Sequence, residues 1–468
     1  GVLPEISGDV TITNSTGSSN LTVRRGNLFK VNSGVSATFD GFTINGFGGR
    51  GIYNDGGTVN LSNGLTITDC FTPDQGAGIY NNGGTVNATN STFSSNRFGR
   101  FLMFSEPIAS GGGIHNEGGT VNVTNSIFSG NSGYSAPGTA GPSRGGAISN
   151  NSGTVNVTNG TFSGNRASDG GGIFNNGPGT VKVVNSTFSG NFGIRVTGGS
   201  PESVDGGAIF NQGGTVEVTN STVSGNDAGG GRGGGIHNRE GGTVKVTNST
   251  LSGNTVGGFF GFGGGIYNDN GTVEVTNSTL SGNQATKPGG SGAGIYNQAG
   301  TVTLTNSTLS GNIANPSTTD PFLIITIPVP GSGGGIWNGG TLNVKNTIVA
   351  QNTAATGPDV FGSFASGGYN LIGDGTGSNG FTAVGDRVGT AAAPIDPLLN
   401  PLTNNGGPTQ TRALQPGSPA INGGDPAFVL TSGPFIGPPF YDQRGISPFN
   451  RVSGGIIDIG AFESPLVS

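Results

Sequence analysis

The chain has 468 residues, of which 96 are glycine and 25 are proline, and only 9% of the residues are charged. The net charge is −6 with no basic stripe, which argues against a nucleic-acid partner. The single cysteine excludes a disulfide within the chain, and no run of 18 apolar residues indicates a transmembrane helix. So much glycine would suggest disorder, but here it recurs periodically and therefore marks corners of a repeat.

Residues 1–50 form the first predicted domain, which we interpret as irregular coils of a β-helix. Short alternating stretches at 9–12 and 37–44 predict strands. No amphipathic helix precedes them, although solenoids normally cover the open strand edges of their terminal coils. We therefore expect an N-terminal coil without a cap.

Residues 51–352 form the second predicted domain, a body of about ten repeats. Each repeat opens with the pattern GGGI-aromatic-N and continues as GGTVxVTNSTFSGN. The opening isoleucines are spaced 25 to 41 residues apart, the spacing of solenoid repeats. From Ile114 to Asn131 is 17 residues, and five other repeats keep that count. Length variation therefore falls at one vertex of an otherwise constant coil.

Each repeat contains three short segments that alternate apolar and polar residues, the period of half-buried strands. Asparagine and glycine punctuate them at positions suited to corners. Three strands and three corners fit the shortest repeat, which spans 25 residues from Ile148 to Ile173. The predicted fold class is all-β, a right-handed parallel β-helix (β-solenoid) with three sheets. The inward residues Ile114, Val121, Val123 and Phe128 should stack on Ile148, Val155, Val157 and Phe162.

Three columns of asparagine repeat at the corners, and identical amides about 4.8 Å apart can hydrogen-bond along the axis. The alternative for the N-S-T triplets at Asn90, Asn185 and Asn220 is glycosylation. The columns comprise Asn81, Asn116, Asn150, Asn175 and Asn211; Asn90, Asn125, Asn159 and Asn185; and Asn96, Asn131, Asn165 and Asn191.

The outward third position of TVxVT carries the charged residues of the repeats. Lys182, Glu217, Lys245 and Glu274 alternate in sign along the axis, which predicts a solvated ladder of cross-strand pairs. A calcium site or an acid–base pair would need clustered carboxylates instead. The sequence accordingly predicts no catalytic residues, no metal ligands and no cofactor.

One outward position holds an aromatic column. The two histidines of this column would lie about 19 Å apart, four coils at about 4.8 Å each, too far to share a metal. The rings are expected to stack on each other or lie under vertex loops; the alternative is a platform for glycans or lateral contacts. The members are Tyr53, Tyr80, His115, Phe174, Phe210, His237, Tyr267, Tyr296 and Trp337.

Three vertex insertions are long, at 97–110, 192–205 and 313–332. The last contains an apolar run on a segment that should face solvent. It is expected either to bury itself on a neighbouring sheet or to contact another subunit as an assembly loop. Its residues are Pro321, Phe322, Leu323, Ile324, Ile325, Ile327 and Val329.

Residues 353–468 form the third predicted domain, in which the repeat gives way to proline-rich sequence that should build the last coils and a cap. It contains the motifs ALQPGSPAINGGD, DQRG and IDIGAFE. The GGGI and FSGN motifs resemble the repeats of polymorphic outer-membrane proteins, and 346–463 resembles the choice-of-anchor Q domain of bacterial surface proteins. This resemblance implies a secreted β-helix protein. Since the chain ends five residues after Glu463, we do not expect anchoring through this end.

The sequence favours an extracellular or cell-surface bacterial structural protein that is not an enzyme. We expect it to self-associate, as a homo-oligomer or filament, through coil ends and vertex loops. The second hypothesis is an adhesin or glycan-binding module that uses the aromatic column. The third is a polysaccharide lyase or hydrolase.

Overall fold

A computed structural model describes residues 5–15, 21–24, 29–100, 110–135, 142–194, 205–257, 261–315, 330–427, 441–445, 449–451 and 456–465. The regular elements in these ranges are β-strands, and the strands pair in parallel. Two compact units divide the chain: unit 1 is Gly1–Val216 with Asn226–Gly229, and unit 2 is Glu217–Gly225 with Gly230–Ser468. Each unit is a stack of β-helix coils, so the predicted fold class is confirmed.

In unit 1 the described coils contribute strands to three long rows, and five of them also contribute to a short fourth row at the variable vertex. The first row contains Glu5–Ile6, Phe29–Val31, Ile52–Asp55, Ile79–Asn82, Ile114–Glu117, Ile148–Asn151, Ile173–Asn176 and Ile209–Gln212. The second contains Val10–Thr13, Ser36–Asp40, Thr58–Ser62, Thr85–Thr89, Thr120–Thr124, Thr154–Thr158 and Thr180–Val184. The third contains Thr22–Arg24, Thr43–Asn45, Thr66–Thr68, Thr92–Ser94, Ile127–Ser129, Thr161–Ser163 and Thr187–Ser189. The fourth contains Phe71–Thr72, Arg97–Arg100, Ser132–Ser135, Arg166–Ala167 and Phe192–Gly193. The strand Thr215–Thr219 crosses the chain boundary between the units.

Unit 2 repeats this plan, and two of its coils merge the first and second strands into one long strand. The first two rows contain Ile236–Arg239, Thr243–Thr247, Ile266–Thr276, Ile295–Thr305, Ile336–Asn338, Thr341–Lys345, Val360–Ser363, Ala365–Ser366 and Ser378–Asn379. The third row contains Thr222–Ser224, Thr250–Ser252, Thr279–Ser281, Thr308–Ser310, Ile348–Ala350, Leu371–Ile372 and Arg387–Val388. The short row contains Gln284–Ala285 and Ile313–Ala314.

The core consists of columns of identical side chains, as the repeat predicts. The pairing register places Ile114, Val121, Val123 and Phe128 against Ile148, Val155, Val157 and Phe162. All eight side chains are at most 1% exposed. The phenylalanine column stacks with ring centroids 4.4–4.8 Å apart and nearly parallel planes. The predicted stacking of these coils is confirmed.

Two of the asparagine columns form buried amide ladders. In the first, Nδ2 of Asn81 donates to Oδ1 of Asn116 at 2.7 Å and to the carbonyl of Gly84, closing its own corner. In the third, Nδ2 of Asn131 donates to Oδ1 of Asn165 at 2.9 Å. Each amide therefore bonds both to its own or a neighbouring backbone and to the next coil, and the ladder prediction is confirmed for these columns.

The second asparagine column fixes corners of left-handed backbone. Asn90, Asn125, Asn159 and Asn185 have φ of 49–54°, a conformation that asparagine tolerates better than other side chains. Their side chains are exposed in unit 1, and Asn159 donates to Asn125 at 2.9 Å. The left-handed backbone is therefore the main reason for asparagine at this corner, and the contact between amides is a secondary reason.

The outward ladder of TVxVT also has the predicted form. Asn87, Asn122 and Asn156 each donate to the asparagine of the preceding coil at 2.8–2.9 Å. In unit 2, Lys245 Nζ lies 3.1 Å from a carboxylate oxygen of Glu274, with both side chains nearly half exposed. Exposed pairs of this kind contribute little stability, about 0.2–1 kcal/mol.

The C-terminal segment closes unit 2 in two ways. Residues 360–388 complete the last, shorter coils. The rest of the segment then runs back along the outer face of the third row, where Leu399, Leu414, Ala420, Ile459 and Phe462 form an apolar cluster with Ile348 and Leu371. As a result Thr250, Thr279 and Thr308 are buried, whereas the equivalent Thr161 and Thr187 of unit 1 are exposed. The segment is thus a strap along the side of the coils as well as their end.

Candidate functional sites

The aromatic column of unit 1 is stacked along the axis. The rings of Tyr53 and Tyr80 are parallel within 2° at 5.2 Å, and Tyr80 stacks on His115 at the same distance. Phe174 and Phe210 meet edge to face at 5.4 Å. Tyr53 and Tyr80 are half-buried, and the other three rings are at most 2% exposed.

The column of unit 2 has the same construction. His237 meets Tyr267 edge to face at 4.8 Å, Tyr267 stacks on Tyr296 at 5.5 Å, and Tyr296 stacks on Trp337 at 4.2 Å. His237, Tyr267 and Tyr296 are buried, and Trp337 is half-buried. Burial raises the pKa of Tyr296 to about 12, so its phenol stays protonated.

Arginines close the column from outside. The guanidinium of Arg50 lies 5.5 Å and 5.1 Å from the ring centres of Tyr53 and Tyr80, and it donates to the carbonyls of Gln75 and Gly76. Arg144 covers Phe174 at 4.8 Å, and Arg232 covers Tyr267 at 5.3 Å. Cation–π contacts at such distances contribute about 0.5–2 kcal/mol each. Neighbouring rings occupy the faces of the rings in this column. The geometry therefore favours rings that stack on each other beneath covering residues, and it argues against a platform for glycans.

His115 belongs to a hydrogen-bond network that the sequence did not reveal. Its Nδ1 lies 2.8 Å from the hydroxyl of Ser110, and its Nε2 lies 3.2 Å from a carboxylate oxygen of Glu117. Burial lowers the pKa of His115, with Glu117 acting against that shift. The bond to His115 lowers the pKa of Glu117, which also accepts two hydrogen bonds from Asn151.

This trio has the residue types of a nucleophile, a base and an orienting acid, but its surroundings differ from those of an active site. Ser110 is only 3% exposed and His115 only 2%, so a substrate carbonyl has no access to the hydroxyl. The ring of Tyr80 covers His115. The network therefore orients a buried histidine within the column. Sequence spacing gave no signal for it, because Ser110 ends a vertex insertion of variable length.

The motifs of the C-terminal strap form a second polar cluster. Nε of Arg444 donates to both carboxylate oxygens of Asp442 at 2.8 and 3.1 Å, and its guanidinium lies between the rings of Phe449 and Phe462, 4.3 and 3.9 Å from their centres. The amide of Glu463 donates to Asp442 at 2.8 Å. The DQRG and IDIGAFE motifs are therefore joined to each other.

Further contacts fasten this cluster to the coils. Gln443 is fully buried; its Oε1 accepts from the hydroxyl of Thr279 at 2.5 Å and its Nε2 donates to the hydroxyl of Thr250 at 2.9 Å. The amide of Ala461 donates to the hydroxyl of Thr308 at 3.0 Å. Burial raises the pKa of Asp458, whose carboxylate accepts from the amide of Asn422 at 2.7 Å. The charged side chains of this cluster therefore help to hold the strap against the coils.

Cys70 occupies the corner that asparagine holds in other coils. Its amide donates to Oδ1 of Asn96 at 3.1 Å, which joins it to the third amide ladder. The side chain is 1% exposed, and burial raises the pKa of the thiol to about 12. The thiol is therefore protonated and unreactive at neutral pH.

The predicted assembly loop, residues 321–329, lies outside the described residues. Within the described ranges, no group of three or more histidine, cysteine, aspartate or glutamate side chains is placed to hold a metal ion. The same ranges contain no helix that is long and apolar enough to cross a membrane.

Comparison with known proteins agrees with this architecture. Residues 171–354 match the family model described as "Right handed beta helix region". The class that the fold and the match define is thus the right-handed parallel β-helix. Neither the curated proteins nor the solved structures contain a significant match to this chain. The similarity therefore supports the fold and its hand and does not select an activity.

Proposed function

We propose that this protein is a non-catalytic structural protein of the bacterial cell surface or extracellular space, and that it self-associates through its coil ends. The observation that carries the proposal is the strand Val10–Thr13 of unit 1, one side of which has no paired strand among the described residues. In the described residues, the strand Val10–Thr13 pairs with Ser36–Asp40 on one side. Such an edge is a template for a strand of another chain.

The backbone directions define which groups that edge offers. The amide of Asn14 donates to the carbonyl of Asp40 at 3.0 Å, so it points into the coil stack. Amide directions alternate along a strand, so those of Thr11 and Thr13 point away from the stack. An end-to-end contact between different coil ends is heterologous, and such contacts give open filaments when the rotation does not close.

The side-chain chemistry supports a structural role over an enzymatic one. Among the described carboxylates that lie near one another, Asp442, Asp458 and Glu463 are buried and engaged in backbone hydrogen bonds of the strap, and the buried Asp359, beside Asp374, accepts from the backbone amides of Asn352 and Asp374. The outward ladder positions hold amides and charged side chains such as the exposed pair Lys245–Glu274, which link neighbouring coils. Neither arrangement presents an acid and a base to a polysaccharide.

A single proline tests the coil-end contact in the full-length protein. Thr11 is exposed, and Thr11→Pro removes an outward amide without removing a bond to Ser36–Asp40. Thr11→Val is the matched control, because it keeps the amide and favours a strand. Sedimentation velocity over a concentration series, with electron microscopy, should show assemblies for the wild type and Thr11→Val and smaller species for Thr11→Pro. A wild type that stays monomeric at all concentrations would refute the proposal, as would equal assembly of the proline variant.

A further inference from the structure

One short segment of the strap, residues 457–462, lies on the outer face of two neighbouring coils of unit 2. The four outward side chains beneath it are at most 2% exposed. They are two corner asparagines and the paired threonine and isoleucine of the third strand row. We call them the strap site: Asn306, Thr308, Asn346 and Ile348.

The strap segment is held mainly through its backbone. Nδ2 of Asn346 donates to the carbonyl of Asp458 at 3.0 Å, and the backbone amide of Gly460 donates to the carbonyl of Asn346 at 3.0 Å. The backbone amide of Ala461 donates to the hydroxyl of Thr308 at 3.0 Å. Main-chain contacts supply affinity without selecting most side chains, so another segment of the same shape can make them.

The glycine at the centre of the segment is the exception, because the strap site selects it. Gly460 has φ of 103°, which other residues rarely adopt. A Cβ at this position would lie 2.8 Å from Cδ1 of Ile348 and 2.8 Å from Oγ1 of Thr308, closer than ordinary van der Waals contact. On one side of the glycine, Ile459 packs in the apolar cluster with Ile348, and on the other side lies the small Ala461.

Unit 1 contains the same arrangement on two neighbouring coils. Thr92 pairs with Ile127 of the next coil, just as a threonine pairs with an isoleucine in the strap site. The corner asparagines that precede them have φ of 49° in unit 1 and 48–49° in the strap site, so the backbone turns in the same way. We call the residues of unit 1 the twin site: Asn90, Thr92, Asn125 and Ile127.

The two sites differ in their exposure to solvent. Ile127 is 44% exposed, whereas Ile348 is 1% exposed. Asn90 and Asn125 are exposed as well, and Thr92 is half-buried. The twin site therefore presents to solvent the same amide, hydroxyl and apolar groups that bind the strap segment in unit 2.

We propose that the twin site binds an extended segment of another protein, in which a glycine lies between an aliphatic residue and an alanine. The aliphatic residue packs on Ile127, a backbone carbonyl accepts from Asn125, and a backbone amide donates to Thr92. Residues 457–462 of this chain are not the occupant, because they are already bound to the strap site.

One outward position distinguishes the twin site from the strap site. Unit 1 has Ser129 where unit 2 has the buried Ala350, which belongs to the apolar cluster under the strap. The partner segment therefore meets a hydroxyl at this position. The proposal does not depend on self-association through the coil ends, because the twin site lies on the outer face of the third strand row.

A labelled peptide with the sequence of residues 456–463, IIDIGAFE, is the probe for this site. Fluorescence anisotropy with the full-length protein should show saturable binding. The same peptide with Gly460→Ala should bind about tenfold more weakly or less, because its Cβ would meet the side chains of Ile127 and Thr92.

Two variants of the protein locate the binding. Ile127→Ala should reduce affinity about tenfold, because the apolar anchor of the peptide loses its contact. Thr187→Ala is the matched control, because Thr187 is exposed and occupies the position of Ile127 two coils further along. It should leave the affinity unchanged. Both replaced side chains are exposed, so the variants should fold, which circular dichroism verifies.

The outcomes that would overturn the proposal are distinct. They are absence of saturable binding, equal affinity for the two peptides, and an affinity that Ile127→Ala leaves unchanged, which would place the peptide elsewhere on the protein. If Ile127→Ala instead reduces self-association in sedimentation velocity, the occupant is a second copy of this chain and not another protein. Thr11→Pro should bind the peptide as the wild type does, which separates this result from any failure to assemble.

Discussion

The buried amide ladder should be worth several kcal/mol per coil, and Asn131→Ala measures one step of it. Nδ2 of Asn131 donates to the carbonyl of Phe93 at 3.0 Å and to Oδ1 of Asn165 at 2.9 Å. Its Oδ1 accepts from the backbone amide and the side chain of Asn96 at 3.2 and 2.9 Å. Four hydrogen bonds at about 1 kcal/mol each give a loss of about 4 kcal/mol, because water cannot reach the groups left behind.

Asn122→Ala is the matched control for this prediction. Asn122 also lies in an amide ladder, but it makes two hydrogen bonds, to Asn87 and from Asn156, and its side chain is half-buried. Water can replace these bonds, so the cost should stay below about 1 kcal/mol.

Urea unfolding gives the total change, and hydrogen exchange gives the local one, since long repeat arrays can unfold in parts. The amide of Asn96 reports directly, because it donates to Asn131 in the wild type. Its protection should fall in Asn131→Ala and persist in Asn122→Ala. Equal effects of the two substitutions, or a loss below about 1 kcal/mol for Asn131→Ala, would refute the reasoning.

Two further predictions concern pH and the strap. Burial lowers the pKa of His115 below 6.5, so the folded state favours the neutral ring. The stability that this preference contributes is complete above the unfolded pKa of 6.5 and is lost as the pH falls below that value. Thermal melts from pH 7.5 to 5 should show this loss, and His115→Tyr, which places the ring of Tyr53 and Tyr80 at that position, should reduce it; an unchanged slope would contradict the assignment. Gln443→Ala removes the bonds to Thr250 and Thr279 and should expose the strap to trypsin at Arg412, whereas Gln415→Ala, which loses one bond to Leu399, should not. Equal cleavage of both variants would show that Gln443 does not hold the strap.

The parts of this structure that repeat could be predicted from the sequence, because each residue is constrained by the same residue one coil away. Val121 and Val155 illustrate this, because two repeats with the same pattern and the same number of residues must pair in the same register. The burial of Tyr267 and Tyr296 was harder to predict, because a side chain at an outward position is exposed only if no other segment covers it. Arg232, which covers Tyr267, belongs to a vertex of variable length, and its placement has no periodic signal.

Contacts between distant, unique residues could not be predicted. Gln443 meets Thr250 across 193 positions of sequence, and no pattern links a proline-rich segment to one particular row of threonines. The Ser110–His115–Glu117 network likewise depends on where a vertex insertion ends.

The amide ladders also bear on how such a chain changes length over evolution. Oδ1 of Asn116 accepts a hydrogen bond from Asn81, and Nδ2 of Asn116 donates one to Asn150. Each coil therefore presents the same acceptor to the coil before it and the same donor to the coil after it. Removing the 25 residues from 148 to 172 would bring Asn116 next to Asn175, with the same donor facing the same acceptor. Tandem duplication or loss of whole coils would therefore leave each junction intact. Chain length in this protein is a property that recombination can adjust in steps of one coil.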